Sequence, residues 1–217
     1  MTRQAVPRRA QGQHAGLTRT VLLDTAMELV DREGLARLSM RRLAAELGVQ
    51  AMTLYHHVGT KDELLDGLVE RLLEAAVPEL PDDGTWQDSL RALALGLRAQ
   101  LLAHPHLVPV VATRPAVTPS TLRTLELALE TLSPAGFAPV RGLEMVYAVV
   151  GLVLGQLSVE VAAGDTSVAE RLQRLDEADL DGLPLLQEAV TQAPSREPRS
   201  VFDLSLDALI DGLAGRP

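Results

Sequence analysis

The sequence predicts an all-α fold in which a small N-terminal three-helix domain precedes a larger helical domain. Leucine and alanine dominate a composition that is 47% hydrophobic but only 2% aromatic, and this balance favours helices over strands. Apolar residues recur at helical spacing along most of the chain. Helix caps and helix-breaking residues separate these periodic segments.

The first sixteen residues differ from the rest of the chain. They are polar, contain three arginines, and lack the apolar stretch of a signal peptide. We therefore expect residues 1–16 to form a disordered basic arm. Helical periodicity begins after Leu17, and Gly34 ends the first helix, whose buried face is formed by Leu22, Ala26, Leu29 and Val30.

Two short helices follow, joined at a glycine. Ser39 predicts the N-terminal cap of the first, and Gly48 ends it after two turns. The second covers about residues 51–57 and has one apolar face, while Thr53, His56 and His57 point the other way. This arrangement is typical of a helix-turn-helix, whose second helix lies in the major groove of DNA and contacts base edges.

A capping box begins the next, longer helix. Thr60 and Glu63 have the spacing at which each side chain accepts a hydrogen bond from the other's backbone N–H. We place the domain boundary here, with a helix-turn-helix domain over residues 17–62 and a larger helical domain over residues 63–217. Caps and apolar periodicity predict the later helices after Thr85, after Thr118, over Pro139–Ala163 and over Ser200–Gly215.

The predicted helix over Pro139–Ala163 is apolar on nearly all sides. Its longest uncharged run, Met145–Val159, has fifteen residues, whereas a bilayer-spanning helix needs about 20. We therefore expect a buried helix, no membrane association and a cytoplasmic location. The chain contains no cysteine, which excludes disulfides and thiolate chemistry.

Charge is distributed unevenly along the chain. The net charge is −9, yet residues 1–61 hold nine Lys/Arg and five Asp/Glu, whereas residues 62–217 hold eleven and twenty-four. A basic head on an acidic body indicates that the N-terminal domain binds nucleic acid. One alternative is an enzyme, but no catalytic triad, phosphate-binding loop or zinc-protease motif is present, so we expect no catalytic residues. The other is a structural dimerisation module, which would need no basic head.

A pattern of short motifs covers residues 38–49, 52–58 and 61–65. This pattern resembles the DNA-binding domain of the TetR family of transcriptional regulators. The C-terminal domain of the tetracycline-repressor subgroup is similar to the motifs Trp86-Gln87-Asp88, Ala112–Pro115 and Gly136-Phe137. The resemblance implies a homodimeric, ligand-responsive repressor that binds double-stranded operator DNA and is released by a small-molecule effector. It implies no cofactor.

The resemblance also assigns DNA contacts to residues around the helix-turn-helix. The base-facing positions are Ala51, Met52 and Thr53. The other DNA-contacting positions, most of which hold phosphates, are Arg41, Tyr55, His56, His57 and Lys61. Hydroxyl groups can donate hydrogen bonds to DNA, and a lysine at a helix N-terminus adds to a dipole that attracts phosphate.

In the tetracycline-repressor subgroup, the drug binds together with a magnesium ion that a histidine and a later acidic residue hold. Alignment on Thr113-Arg114-Pro115 places Val110 and Val159 at these two positions, with Glu160 one residue off the expected face. Valine offers magnesium no oxygen ligand, so we expect no metal site. We instead expect an apolar or amphipathic effector in a pocket lined by Leu93, Leu97, Val110, Thr113, Arg114, Val146 and Tyr147.

The helices predicted over Pro139–Ala163 and Ser200–Gly215 have more apolar surface than one body can cover. Paired with the same two helices of a second copy, they would form a four-helix contact. The expected interface residues are Gly151, Gly155, Leu206, Leu209 and Leu213.

Overall fold

The computed structural model describes residues 17–77, 84–114, 117–163, 174–175, 177–192 and 200–214. Within these ranges the ordered segments are α-helices and short 3-10 turns, without a β-strand. The all-α prediction is therefore confirmed. The basic arm expected over residues 1–16 lies outside the described residues.

The helices follow one another with short connections. The first four are α1 (Arg19–Glu33), α2 (Met40–Leu47), α3 (Ala51–Val58) and α4 (Lys61–Ala76). The next three are α5 (Trp86–Ala103), α6 (Val108–Thr113) and α7 (Pro119–Leu132). The described residues end with α8 (Pro139–Ala163), α9 (Pro184–Gln192) and α10 (Val201–Ala214). Three-residue 3-10 turns precede α2, α6 and α8.

Contacts between residues divide the chain into two compact units, residues 1–68 and 69–217. The division falls inside α4, so this helix begins in the first unit and ends in the second. The boundary expected from the sequence, after residue 62, lies in the first turn of the same helix and remains a prediction.

Local sequence signals determine the helix ends of the first unit. Thr18 and Ser39 cap α1 and α2, because their hydroxyl oxygens accept hydrogen bonds from the N–H groups of Val21 and Arg42 at 3.2 and 3.1 Å. Gly48 ends α2 in the left-handed region, at φ +67°. Glycine adopts this conformation without the steric cost of a Cβ atom, and the chain turns there into α3.

The helices α1, α2 and α3 pack on one another around a leucine core. The fully buried side chains of this unit include Leu22, Leu29, Leu43, Leu54 and Leu64. Removing each from water contributes about 1.5–3 kcal/mol to stability. The apolar face predicted for α1 is buried throughout. In α2, Met40, Leu43 and Ala44 are buried and Leu47 is half-buried.

In the second unit, α8 contacts four other helices, namely α5, α6, α7 and α10. Its inward residues Met145, Val149, Val153 and Leu157 are fully buried. Trp86, at the start of α5, contacts Phe137 edge-to-face, with the ring centroids 5.1 Å apart. Thr85 and Asp88 form a capping box that begins α5, and the hydrogen bonds from Thr85 lower the pKa of the Asp88 carboxyl.

Within its own chain, α8 is not the fully buried helix that the sequence predicts. Among the described helices, α8 is long and apolar enough to cross a membrane by length and composition, over Pro139–Val161. Only a third of the most apolar stretch of this segment is buried within the chain. The outward stripe follows helical spacing and contains Val140, Tyr147, Gly151, Gly155 and Val159. An apolar stripe of this length requires a covering surface.

Candidate functional site

The helix-turn-helix presents a distinct outer face on α3. Leu54 and Val58 are buried and attach α3 to the first unit, whereas Met52 is 67% exposed and Tyr55 is 47% exposed. His56 is also exposed. Three of the predicted DNA-contacting side chains therefore lie on the surface of the second helix of the motif.

The remaining predicted residues of α3 are less exposed. Ala51, Thr53 and His57 are half-buried, and the N–H of Thr53 donates to the carbonyl of Gln50 at 2.9 Å. Their side chains lie between the outer face and the buried face of α3. The side chains of Ala51 and Thr53 are short, which would allow the helix backbone to approach base edges.

Two adjacent arginines of α2 have different environments. The Arg42 guanidinium donates from Nε to Glu33 at 3.2 Å and from NH1 to Glu46 at 2.7 Å. Arg32 also donates to Glu46, at 2.8 Å. These four residues, which we call the α1–α2 ion cluster, join the two helices.

The α1–α2 ion cluster shifts the ionisation of its members. Hydrogen bonds from Arg42 lower the pKa of Glu33 and that of Glu46, and the ion pairs raise the pKa of Arg42. Arg41, in contrast, is exposed, and no ion pair of its side chain occurs among the described residues. Among the described residues, no acidic side chain compensates the charge of Arg41, in contrast to that of Arg42.

Lys61 is exposed in the first turn of α4. The predicted capping box is present beside it: the N–H of Thr60 donates to Glu63 at 3.0 Å, and the N–H of Glu63 donates to the Thr60 hydroxyl at 3.2 Å. Together they fix the start of the helix that carries Lys61.

Sequence reasoning missed Arg37 as a candidate. This residue is exposed in the 3-10 turn just before α2, and its side chain makes no ion pair among the residues that the structure describes. The available signal was a positive charge close to the motif, because the turn that carries Arg37 ends two residues before Ser39, the N-terminal cap of α2. The resemblance did not include it because it lies outside the matched segment.

The predicted effector residues lie on helices that pack together in the second unit. Leu97, Val110 and Val146 are buried on α5, α6 and α8, and α8 contacts both of the other helices. Leu93 is half-buried. The structure thus brings these four apolar residues to neighbouring elements.

The polar effector candidates lie at the end of α6. Thr113 is exposed, and its hydroxyl donates to the carbonyl of Pro109 at 2.7 Å, while Arg114 is half-buried. Both lie directly beyond Val110, which belongs to the apolar group of the same helix.

Tyr147 does not lie with the other predicted effector residues. Its side chain is 58% exposed, on the outward stripe of α8 with Gly151. This exposure does not fit a pocket formed within one chain, and the effector contact expected of Tyr147 stays a prediction. Because α8 is apolar on all sides, hydropathy alone did not show which face points inward.

Glu160 is engaged in an interaction that the sequence did not indicate. Arg98 on α5 donates to both of its carboxylate oxygens, at 3.2 and 3.0 Å. The Arg98 guanidinium also lies 4.9 Å from the centre of the Phe202 ring on α10. Among the described residues, no group of three His, Asp or Glu side chains is arranged to hold a metal ion.

The predicted dimer residues fall into two groups. Gly151 and Gly155 are exposed, with open space around each within its own chain. Leu206 and Leu213 instead belong to the core of their own unit, and Leu209 is half-buried. Burial within their own chain does not fit the interface role expected of Leu206 and Leu213, whereas Leu204, at 57% exposed, lies on the outer face of α10.

A helix-turn-helix with exposed cations, followed by a larger helical unit, defines a DNA-binding regulator of transcription. Residues 22–68 match the family model described as bacterial regulatory proteins, tetR family. Residues 77–216 match the model of the tetracyclin repressor-like C-terminal domain. The chain belongs to the TetR family.

Curated relatives match almost the whole chain. An HTH-type transcriptional regulator of Saccharopolyspora erythraea is 34% identical, over 91% of this chain and 85% of the relative. The HTH-type transcriptional repressor DrrR1 of Streptomyces coeruleorubidus is 32% identical, over 95% and 80%. The class D tetracycline repressor protein of Escherichia coli is 34% identical, over 91% and 89%.

Solved structures give the same result. Apo ActR from Streptomyces coelicolor has a TM-score of 0.77 and 28% identity, over 93% of this chain and 96% of that chain. ActR in complex with actinorhodin has a TM-score of 0.75 and 28% identity, over 93% and 98%. The chain is thus a DNA-binding transcriptional regulator of the TetR family, which confirms the predicted function class.

Proposed function

We propose that the chain is a homodimeric repressor that leaves its operator when a small apolar or amphipathic effector binds the second unit. The observation that carries this proposal is the outer face of the helix-turn-helix. There, exposed Tyr55, His56 and Lys61 accompany Arg41, whose charge no acidic side chain compensates among the described residues.

On DNA, we assign the phosphate contacts to Arg41, Tyr55, His57 and Lys61, with His56 beside them. Thr53 is assigned a base contact, while Ala51 and Met52 make apolar contacts of the kind a thymine methyl group accepts. Arg37 adds a further cation next to α2. In this assignment Arg42 has no direct role, because Glu33 and Glu46 hold its guanidinium.

In the second unit, we assign effector contacts to Leu93, Leu97, Val110 and Val146, with Thr113 and Arg114 as polar groups. The residues are apolar where they are buried, which favours an apolar or amphipathic ligand. A metal-bound ligand is disfavoured, since Arg98 neutralises the nearby carboxylate of Glu160. The relatives, among them tetracycline repressors and ActR in complex with actinorhodin, support a small-molecule effector.

For the dimer, we assign the outward stripe of α8 and the outer face of α10. The first contains Tyr147, Gly151 and Gly155, and the second contains Leu204 and Ala208. The two glycines would let a second α8 approach closely. Burying these apolar surfaces against a second copy accounts for the exposed length of α8 without a membrane.

We further propose that the regulator works in the cytoplasm and has no catalytic activity of its own. The family consists of transcriptional regulators, and DNA-binding with effector release requires only binding equilibria.

Selection of DNA fragments by the purified full-length protein tests the function. We expect enrichment of a fragment with two related half-sites about one helical turn apart, as a symmetric dimer requires. Binding to that fragment at two salt concentrations should show a much stronger affinity than for scrambled DNA. A protein that enriches no fragment, or that binds both DNAs equally, would be a helical dimer without operator recognition.

A further inference from the structure

The C-terminal end of α4 lies against the middle of α5 at a glycine. Gly96 has no side chain, and a Cβ atom placed on it would collide with the carbonyl oxygen of Ala76 and lie 3.2 Å from the carbonyl carbon. Ala76 is the last residue of α4 and is buried. The obstruction is backbone, so any larger residue at position 96 forces one of the two helices to move.

This contact differs from those of the other helical glycines that the structure describes. Cβ atoms at Gly67 and Gly142 would meet side-chain atoms only, and those at Gly151, Gly155 and Gly212 would meet nothing within 4 Å. Flexible side chains can adjust, whereas the end of a helix backbone cannot. The absence of a side chain at position 96 therefore has a specific structural use.

A second contact fixes the same end of α4. The carboxylate of Glu74 and the hydroxyl of Ser120 are hydrogen-bonded, and Ser120 lies in the first turn of α7. Thr118 caps that turn and accepts a hydrogen bond from the N–H of Thr121 at 3.2 Å. Residues 69–76 are thus fixed against α5 by packing and against α7 by a hydrogen bond, all within the second unit.

The other end of α4 begins with Lys61, the candidate phosphate contact. The helix has sixteen residues, which corresponds to a length of about 24 Å. A continuous helix transmits a displacement of one end to the other. Residues 61–68 of α4 belong to the first unit, so the helix that is seated at Gly96 is continuous with the segment that carries Lys61.

We infer that Gly96 is a positioning residue for operator binding, because it seats the end of α4 on α5. The inference rests on the proposed function, since it concerns how the same DNA-binding surface is held. It concerns specific operator recognition, in which two helix-turn-helix domains must match two half-sites. Binding to scrambled DNA depends on charge and does not require that match.

The test compares Gly96→Ala with Gly142→Ala in the full-length protein, on the operator selected by the wild type and on scrambled DNA. For Gly96→Ala we expect a drop of about tenfold or more in the ratio of operator to scrambled-DNA affinity, with the salt dependence on scrambled DNA unchanged. Gly142→Ala is the same substitution, but its new Cβ atom contacts only side chains of α7. We expect this variant to keep the affinity ratio of the wild type.

Amide hydrogen exchange gives a second measure, and it should be faster over residues 69–76 in Gly96→Ala only. A wild-type affinity ratio in that variant, or an equal loss in both variants, would overturn the inference. If Gly96→Ala does not fold, Ser120→Ala removes the second contact without a clash and should lower the ratio in the same direction. If Ser120→Ala then keeps the affinity ratio of the wild type, the inference is contradicted. If the wild-type protein itself shows no preference for the operator, the proposed function is contradicted instead.

Discussion

Lys61 offers a direct test of a single phosphate contact. Each lysine that neutralises a phosphate releases a counterion, so Lys61→Ala should lower the slope of log affinity against log salt by about one per helix-turn-helix domain. The loss should be equal on operator and scrambled DNA, because phosphates carry no sequence information. Fluorescence anisotropy titrations across a salt series measure both quantities.

The matched control is Arg123→Ala. This arginine is exposed on α7 in the second unit, so the substitution removes one positive charge from the acidic domain. We expect it to leave the salt slope unchanged. An unchanged slope in Lys61→Ala, or the same change in both variants, would show that Lys61 does not contact a phosphate.

Arg42 makes the stability of the first unit dependent on pH. Its hydrogen bonds lower the pKa of Glu33 and of Glu46 below the ordinary value of 4.5. A carboxyl whose pKa is lower in the folded state stabilises above its unfolded pKa, and that stabilisation disappears as pH falls through the folded pKa. The α1–α2 ion cluster should therefore stabilise the fold at neutral pH and cease to do so in acid.

Arg42→Gln tests this dependence, with thermal unfolding followed by circular dichroism from about pH 6 to about pH 3. The unfolding midpoint of the variant should fall less steeply with acidification than that of the wild type. Arg41→Gln is the control, because Arg41 has no acidic partner among the described residues, and it should retain the wild-type steepness. Parallel profiles for wild type and Arg42→Gln would mean that the cluster contributes nothing measurable.

Among the helices, α10 has two apolar faces with different uses. Leu206 and Leu213 are buried in their own chain, and a charge there would be expected to unfold the unit rather than separate two copies. Leu204→Glu instead places the charge on the exposed face. We expect this variant to sediment as a monomer at concentrations where the wild type is dimeric, and to lose operator binding.

Leu127→Glu is the matched control for this experiment, because Leu127 is similarly exposed on α7 but lies outside both proposed dimer faces. It should sediment as a dimer. Both variants should unfold near the wild-type midpoint, since neither residue is buried. An intact dimer of Leu204→Glu would place the interface elsewhere.

Sequence patterns predicted some elements better than others, for physical reasons. The starts of α2 and α4 were predicted because Ser39 and Thr60 act on backbone groups within three residues. The inward faces of α8 and α10 were not, because a core and a dimer interface are both apolar. Periodicity shows how many faces of a helix are apolar, but it does not show which face packs in the core and which contacts a second copy.

In the whole molecule, contacts between distant residues have no local signal. Arg98 and Glu160 are 62 residues apart in sequence, and nothing in their spacing indicates that they form an ion pair. Likewise, charge alone does not distinguish Arg41 from Arg42, and only the fold brings Glu33 to one of them. The candidate DNA surface could therefore be predicted from a motif, whereas the chemistry of the effector site depended on the folded structure.

The effector site leads to a prediction about tetracycline. The positions that hold magnesium in the resembling subgroup are Val110 and Val159 here, and neither has an oxygen or nitrogen ligand. Glu160, the nearest carboxylate in sequence, forms an ion pair with Arg98 that consists of two hydrogen bonds. Recruiting Glu160 to magnesium would leave the half-buried Arg98 guanidinium without its partner, and this loss would offset the attraction between the carboxylate and the metal ion.

We therefore expect tetracycline with magnesium not to release the operator from this regulator. Release is measured by fluorescence anisotropy of labelled operator DNA, with the class D tetracycline repressor and its own operator as the positive control. Arg98→Ala frees Glu160 and tests whether the ion pair alone prevents magnesium binding. If it did, this variant would respond to the drug with magnesium. We expect no response, because Val110 and Val159 still lack ligand atoms. Release of the wild type at micromolar drug would contradict the assignment of an apolar site while leaving operator binding unaffected.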